Sequence, residues 1–130
     1  MSVDVFFMRF ADQDVQPVPL DLVRSVLERF ATVTDDGVVT FEGRETEQGI
    51  LETDESGMLQ QILFPRCQFS PEFQECAYAL LSECGLCMFD DTVVAIYATA
   101  DVKDDIPPSL LDQMSRGFTL VERPDQIQSG

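Results

Sequence analysis

The sequence predicts an α+β fold: a single domain in which a mostly antiparallel sheet carries two main helices and one short helix on one face. Its 130 residues match the length of one domain, and 45% hydrophobic residues with ten Phe can form a core without disulfides or metal. The predicted elements follow the order β-α-β-β-β-α-β-β-α-β, with too few β-α-β alternations for a doubly wound sheet. One domain is expected over residues 1–124, with a frayed tail over residues 125–130.

The first half of the chain predicts one central strand, one helix and a meander. Residues 3–10 are almost continuously apolar, which is typical of a strand covered on both faces. Pro19 suits a first helical position, and the apolar spacing after it predicts a helix over residues 19–30. Turn signals at Asp36-Gly37 and in "DESG" predict a three-stranded meander over residues 37–64. Six phenylalanines in or beside these and later strands are expected in the core: Phe6, Phe7, Phe10, Phe64, Phe69 and Phe89.

The second half contains the clearest helix. Ser70 is a good N-cap, Pro71 suits the first helical position, and Gly85 is placed to end the helix. Between them an apolar stripe recurs at helical spacing: Phe73, Cys76, Ala77, Leu80, Leu81 and Cys84. Strands over residues 86–89 and 93–98, a short helix in "PPSLLDQM" and a last strand in "FTLVE" complete the prediction.

The charge of the chain restricts its partners. Asp and Glu number 24 against 8 Lys and Arg, which gives a net charge of −16. Such a chain repels nucleic acid and anionic membranes and attracts a basic protein. The alternatives are that the acidity serves solubility alone or reflects a salt-loving source. The first ten residues lack the cationic region of a signal peptide, and no apolar run reaches the roughly 20 residues of a membrane helix, so a cytoplasmic protein with reduced cysteines is expected.

The stretch "SECGLCMFDD" contains the one C-x-x-C pair, Cys84 and Cys87. A redox pair of this spacing begins a helix, whose dipole lowers the thiol pKa, whereas here the helix ends at Cys84. A closed zinc site needs four ligands, and Cys67 and Cys76 are nine residues apart and form no second knuckle. Buried free thiols are therefore predicted, with no cofactor, and structural zinc is kept as an alternative.

Catalysis has little support in the sequence. The chain has no His, which removes Ser-His and Cys-His nucleophile pairs and the usual base near neutral pH. It also lacks the spacings of a phosphate-binding loop or an EF-hand. A hydrolase that uses carboxylates alone remains an alternative, but the paired acids are adjacent in sequence and lie in predicted turns. A non-enzymatic role is expected.

Acidic pairs in the predicted turns are the candidate partner-binding residues. If several of these turns share one end of the sheet, they form an anionic rim on a rigid scaffold. The nominated residues are Asp35, Asp36, Asp54, Glu55, Asp90, Asp91, Asp104 and Asp105. A DNA mimic ranks lower, because the exposed face of the second helix offers only Glu72, Glu75 and Glu83 instead of a long row.

Three stretches carry a resemblance: "MSVDVFFMRF", "PVPLDLVRSVLERF" and "PRCQFSPEFQECAYALL". They resemble a group of small acidic bacterial proteins that begin Met-Ser-x-Asp-Val-Phe and have no assigned activity. In size, acidity and lack of catalytic groups the chain also resembles, by type only, the immunity proteins of bacterial polymorphic toxin systems. The first resemblance implies a bacterial cytosolic source and no assigned activity. Together with the acidic charge, the second leads us to expect a bacterial inhibitor that neutralises a basic toxin or effector domain. The main alternative is an adaptor or structural domain whose acidity serves solubility.

Overall fold

The computed structural model describes residues 3–43 and 48–128, which form strands and helices in the following order along the chain. The strands are β1 Val3–Met8, β2 Phe10–Ala11, β3 Asp14–Val15, β4 Thr32–Val33, β5 Val38–Thr40, β6 Gly49–Thr53, β7 Leu59–Cys67, β8 Cys87–Asp90, β9 Ile96–Ala98 and β10 Phe118–Leu120. The helices are α1 Leu20–Leu27, α2 Pro71–Cys84 and α3 Pro108–Leu111, with short 3₁₀ helices at Lys103–Asp105 and Pro124–Gln126.

Eight of these strands form one sheet in the order β10-β9-β8-β1-β7-β6-β5-β4. Strand β1 pairs antiparallel with both β7 and β8, so its predicted central position is confirmed. The meander β5-β6-β7 is confirmed as well. One pair is parallel, β9 with β10, because the connection over residues 99–117 carries the chain back before β10 begins. The predicted α+β class with a mostly antiparallel sheet is confirmed.

Helix α2 has the ends that its sequence predicts. The Ser70 hydroxyl accepts a hydrogen bond from the backbone N–H of Phe73 at 3.2 Å, and Gly85 ends the helix in the left-handed region at φ +67°. The apolar side chains that recur along this helix are buried against the sheet beside α1, as predicted. Helix α1 ends at Leu27, earlier than the expected residue 30. Both helices cover one face of the sheet, which we call the helical face.

The opposite face of the sheet, the second face, is only partly covered. Along β1 the side chains alternate: those of Val5 and Phe7 are fully buried on the helical face, whereas those of Phe6 and Met8 are half-buried on the second face. Strand β1 is therefore central without being equally covered on both sides. A smaller apolar cluster fills the second face near β8 and β9, and its buried members are Phe10, Cys87, Ile96, Ala98, Ile106 and Met114.

The position of the short helix corrects one expectation. We expected all three helices on one face, but Leu110 and Leu111 of α3 pack against the second-face cluster. The reason is the connection over residues 99–117, which leaves β9 and buries its apolar side chains on Ile96 and Ala98. Those two residues alternate with Tyr97, which packs on the helical face.

Two further expectations differ at the ends of the chain. The strand expected over residues 3–10 stops at Met8, and a small hairpin of β2 and β3 follows, with Asp12 and Gln13 at positive φ in its turn. The frayed tail expected over residues 125–130 is wrong as far as residue 128. Ile127 is fully buried in the main core, and the Gln74 side chain donates a 2.8 Å hydrogen bond to its carbonyl. The last two residues of that expected tail lie outside the described residues.

Candidate functional site

The strand register decides whether the nominated acidic turns share one end of the sheet. Asp54 and Glu55 lie in the turn between β6 and β7. Val38 at the start of β5 pairs with Ile50, so the turn that precedes β5, with Asp35 and Asp36, lies at the same end. These two turns are neighbours across antiparallel strands.

The third acidic turn lies at the same end of the sheet, but towards its opposite edge. Phe7 pairs with Ile62 near the start of β7, and Met8 pairs with Cys87 at the start of β8, so β1 ends where β7 and β8 begin. Since β9 is antiparallel to β8, it ends there too, and the segment after it carries Asp104 and Asp105.

We call these residues the acidic rim. Its members are Asp35, Asp36, Asp54, Glu55, Asp104 and Asp105. From β9 to β5 the sheet has five strand spacings, so the rim is about 24 Å long at about 4.8 Å per spacing. A length of this order fits within the footprint of one protein partner.

The remaining nominated pair lies at the other end of the sheet. Val5 near the start of β1 pairs with Asp90 at the end of β8, so Asp90 and Asp91 are separated from the rim by the length of the strands. Asp90 is only 5% exposed, and its carboxylate accepts a 2.9 Å hydrogen bond from the backbone N–H of Thr92 and another from the Thr92 hydroxyl. Asp91 accepts a 3.3 Å hydrogen bond from the Asp4 backbone N–H. This pair stabilises its turn and its contact with β1.

Within the rim, two acids stabilise the scaffold. The Asp54 carboxylate accepts hydrogen bonds from the Ser56 hydroxyl at 2.7 Å and from the backbone N–H groups of Ser56 and Met58 at 2.9 and 3.0 Å. These bonds, the one from the Ser56 side chain foremost, lower the pKa of Asp54. Asp105 accepts a 3.2 Å hydrogen bond from the Asp12 backbone N–H.

The other four rim acids are exposed and make no side-chain hydrogen bond or ion pair with the residues that the structure describes. They are Asp35, Asp36, Glu55 and Asp104. Because the fold does not use their carboxylates, these groups can bind a partner without breaking an existing bond. Glu55 and Asp104 are adjacent to Asp54 and Asp105, which stabilise their segments, and the turn of Asp35 and Asp36 is stabilised by the Thr34 hydroxyl, which accepts a 3.0 Å hydrogen bond from the Val38 backbone N–H.

Two neighbouring acids escaped sequence reasoning. Asp12 and Asp14 lie in the small hairpin that follows β1, and this hairpin is joined to the rim because Gln13 N–H donates a 2.9 Å hydrogen bond to the Asp105 carbonyl. The sequence has no Gly at this hairpin, and the positive φ values of its turn are taken by Asp12 and Gln13 instead. The hairpin extends the negative charge at this end of the sheet.

The C-x-x-C cysteines lie in two different apolar clusters. Cys84 is the last residue of α2 and belongs to the core on the helical face, whereas Cys87 begins β8 and belongs to the second-face cluster. All four cysteines are buried, as the sequence predicts. Burial raises the pKa of Cys76 and Cys87 to about 12 and that of Cys84 to about 11. Near neutral pH these three thiols are protonated and behave as small apolar side chains.

The large depressions near the acids do not bring carboxylates from separate elements together. One of about 610 Å³ is lined by Asp54 and Glu55 of a single turn, and one of about 490 Å³ contains a single acid, Asp101. Among the described residues there is no group of three or more His, Cys, Asp or Glu placed to hold a metal ion. Nor does any helix of this part of the chain have the length and apolar character needed to cross a membrane.

Comparisons with protein-family models, with curated proteins and with solved structures found no match to this chain.

Proposed function

We propose that this chain is a non-enzymatic inhibitor, of the kind that serves as an immunity protein in bacterial toxin systems, and that it binds a basic toxin or effector domain through the acidic rim. The observation that carries this proposal is the strand register. It brings six of the eight nominated acids to one end of the sheet and leaves only Asp90 and Asp91 at the other. Four of those six carboxylates are not used by the fold.

The arrangement of the rim suits fast capture of a cationic protein. At 0.01 M salt the Debye length is about 30 Å, so the charges along a rim of about 24 Å act together on an approaching partner. At 0.15 M salt the Debye length is about 8 Å, and each turn then acts alone. Steering of this kind raises association rates by roughly 10- to 1,000-fold, which an inhibitor of a toxic enzyme needs. The mutual repulsion of the acids is a cost that such a partner offsets.

The test is a protection assay. The genes that flank the coding sequence supply candidate basic domains, and each is expressed in a bacterial host with and without this chain. We expect the chain to restore growth against one of them and to form a complex with it. If no flanking product is toxic, or if the chain protects against none, the alternative of an adaptor or structural domain takes precedence.

A matched pair of variants assigns the protection to the rim. Asp35→Asn with Asp36→Asn removes two exposed rim charges, and Glu72→Gln with Glu75→Gln removes two exposed charges from the start of α2, at the other end of the sheet. Both variants change the net charge equally. Protection that weakens only in the rim variant supports the proposal, and equal weakening in both contradicts a role for the rim.

A further inference from the structure

A row of apolar side chains crosses the uncovered part of the second face. Phe6 on β1 pairs with Phe89 on β8 and with Leu63 on β7; Leu63 pairs with Ile50 on β6, which in turn pairs with Val38 on β5. Side chains that pair across antiparallel strands lie on the same face, so these five form one continuous row. We call it the apolar stripe.

The stripe is exposed where the connection over residues 99–117 no longer covers the sheet. Ile50 is 42% exposed and Val38, Leu63 and Phe6 are half-buried, although Phe6 was expected in the core. The Phe6 ring stacks on that of Phe89 at 5.4 Å between centroids, at the border of the second-face cluster. Beyond Phe89, the stripe residues belong to neither of the two apolar clusters, and Ile50 is the most exposed of them.

Acidic side chains flank the stripe at Asp4 on β1 and Glu52 on β6, whereas Met8 continues the second-face cluster beside Phe6. Asp4 lies two residues before Phe6 on β1, and Glu52 lies two residues after Ile50 on β6, so each shares the face of the stripe and one lies on each side of it. Glu52 accepts a hydrogen bond from the Gln61 side chain. Arg66, at the irregular end of β7, is the one Lys or Arg in the described strands of the sheet. The flanks therefore favour a cationic occupant.

The charge also argues against a second copy of this chain as the occupant. Two copies that met through their second faces would bring two chains of net charge −16 together, with Asp4 and Glu52 of each close to those of the other. A basic partner gains attraction at the same positions.

The size of the stripe indicates how it would be used. It crosses four strand spacings, about 19 Å, and with its flanking rows it is about 14 Å wide, so it covers roughly 270 Å². A standard interface buries about 800 Å² on each partner, with an apolar centre and a polar border. The row that contains Glu52 joins the stripe to the turn with Asp54 and Glu55, so the stripe and the rim form one continuous surface.

We propose that the apolar stripe is the centre of the partner interface and receives a cationic amphipathic segment of the partner protein, whose apolar side packs on Ile50 and Leu63. This inference rests on the proposed function, since it takes the basic partner from there and adds the surface and the chemistry of the segment that it would accept.

The test uses a defined probe: a 14-residue amphipathic peptide of Leu and Lys, titrated into the isotopically labelled full chain at 0.15 M salt and followed by NMR. A Ser and Lys peptide with the same number of lysines is the control for charge alone. Ile50→Thr removes exposed apolar surface from the stripe, and Leu120→Thr makes the same kind of change at the edge strand β10, where Leu120 is 51% exposed.

We expect the Leu and Lys peptide to shift the amide signals of β1, β6 and β7 around the stripe, and Ile50→Thr to weaken its binding about fivefold while Leu120→Thr leaves it unchanged. The Ser and Lys peptide should bind more weakly and shift the rim alone. Signals that move only at the rim or on the helices, no binding, or equal effects of the two Thr variants would each overturn the stripe as the interface centre. Any of those results leaves the protection assay to decide the proposed function, and a failed protection assay leaves the peptide result standing.

Discussion

Gly49 provides the sharpest test of the packing that holds the sheet together. Gly49 on β6 lies opposite Phe64 on β7, and the Phe64 ring covers the position that a side chain would occupy. A Cβ added there would overlap Cε1 of Phe64 and would lie 2.7 Å from both Cδ1 and Cζ. Since carbon atoms rest at about 3.5–4.0 Å, the ring must retreat by about 1 Å in a Gly49→Ala variant.

The retreating ring has little space. Its centroid lies 5.3 Å from that of Phe73 and 6.0 Å from those of Phe7 and Phe41, all of which are buried. Overpacking of such a core costs about 1–3 kcal/mol, against which Ala gains about 0.5–1 kcal/mol over Gly in a strand. Because three buried rings surround Phe64, the overpacking cost should lie in the upper half of that range, and we expect Gly49→Ala to lower the free energy of unfolding by about 1–2 kcal/mol. The domain should still fold, because domains are typically stable by about 5–15 kcal/mol.

The assay is urea unfolding followed by far-ultraviolet circular dichroism, with Phe64→Leu as the partner in a double-mutant cycle. Leu lacks the clashing ring atoms, so the double variant should be at least about 1 kcal/mol more stable than the sum of the two single effects predicts. Gly57→Ala is the control: Gly57 has φ +84° and nothing within 4 Å of an added Cβ, so its cost should be additive with Phe64→Leu. A Gly49→Ala cost below about 0.5 kcal/mol, or additivity with Phe64→Leu, would refute the reasoning.

Three further predictions concern the cap, the thiols and the rim. Ser70→Ala should lower the free energy of unfolding by about 1 kcal/mol in urea titrations, because the N–H of Phe73 loses its acceptor. Ser70→Asn should retain most of the stability that Ser70→Ala loses, because Asn is also a good N-cap. Burial raises the pKa of Cys76 to about 12. The stabilising contribution of the protonated thiol is therefore complete below the unfolded pKa near 9 and is lost as pH rises towards 12. When the pH is raised from 8 to 10, the urea concentration at the midpoint of unfolding should decrease, and it should decrease less in Cys76→Ala. Once a partner is identified, the double variant that carries both Asp35→Asn and Asp36→Asn should bind it about fivefold more slowly than the parent chain at 0.01 M salt in stopped-flow experiments, and at nearly the same rate at 1 M salt. These values are expected if each of the two lost charges lies about 7 Å from one cation of the partner. A loss of association rate that is independent of salt would contradict steering.

The parts of the fold that the sequence predicted depend on local signals. Helix α2 is predicted correctly because Ser70, Pro71 and Gly85 fix its ends with short-range hydrogen bonds and backbone geometry. The face on which α3 packs and the parallel pairing of β10 depend on where the chain returns after residues 99–117, and no local pattern encodes that return. The same limit applies to the site. Each acidic turn was predictable, but whether the turns share one end of the sheet depends on β1 pairing between β7 and β8, strands more than 50 residues further along the chain.

The segment "SECGLCMFDD" shows how the three-dimensional arrangement separates residues that are adjacent in sequence. Gly85 ends α2 and lets the chain pass from the helical face into β8, so Cys84 and Cys87 are buried in different clusters. Four residues of strand then carry Asp90 to the end of the sheet opposite the rim, where its carboxylate is held by Thr92. The acids that remain for a partner are those whose turns are stabilised by a neighbour, as Asp54 stabilises the turn that exposes Glu55. The strand register therefore decides which acids lie on the rim, and the hydrogen bonds of the fold decide which rim carboxylates are left without a partner among the described residues.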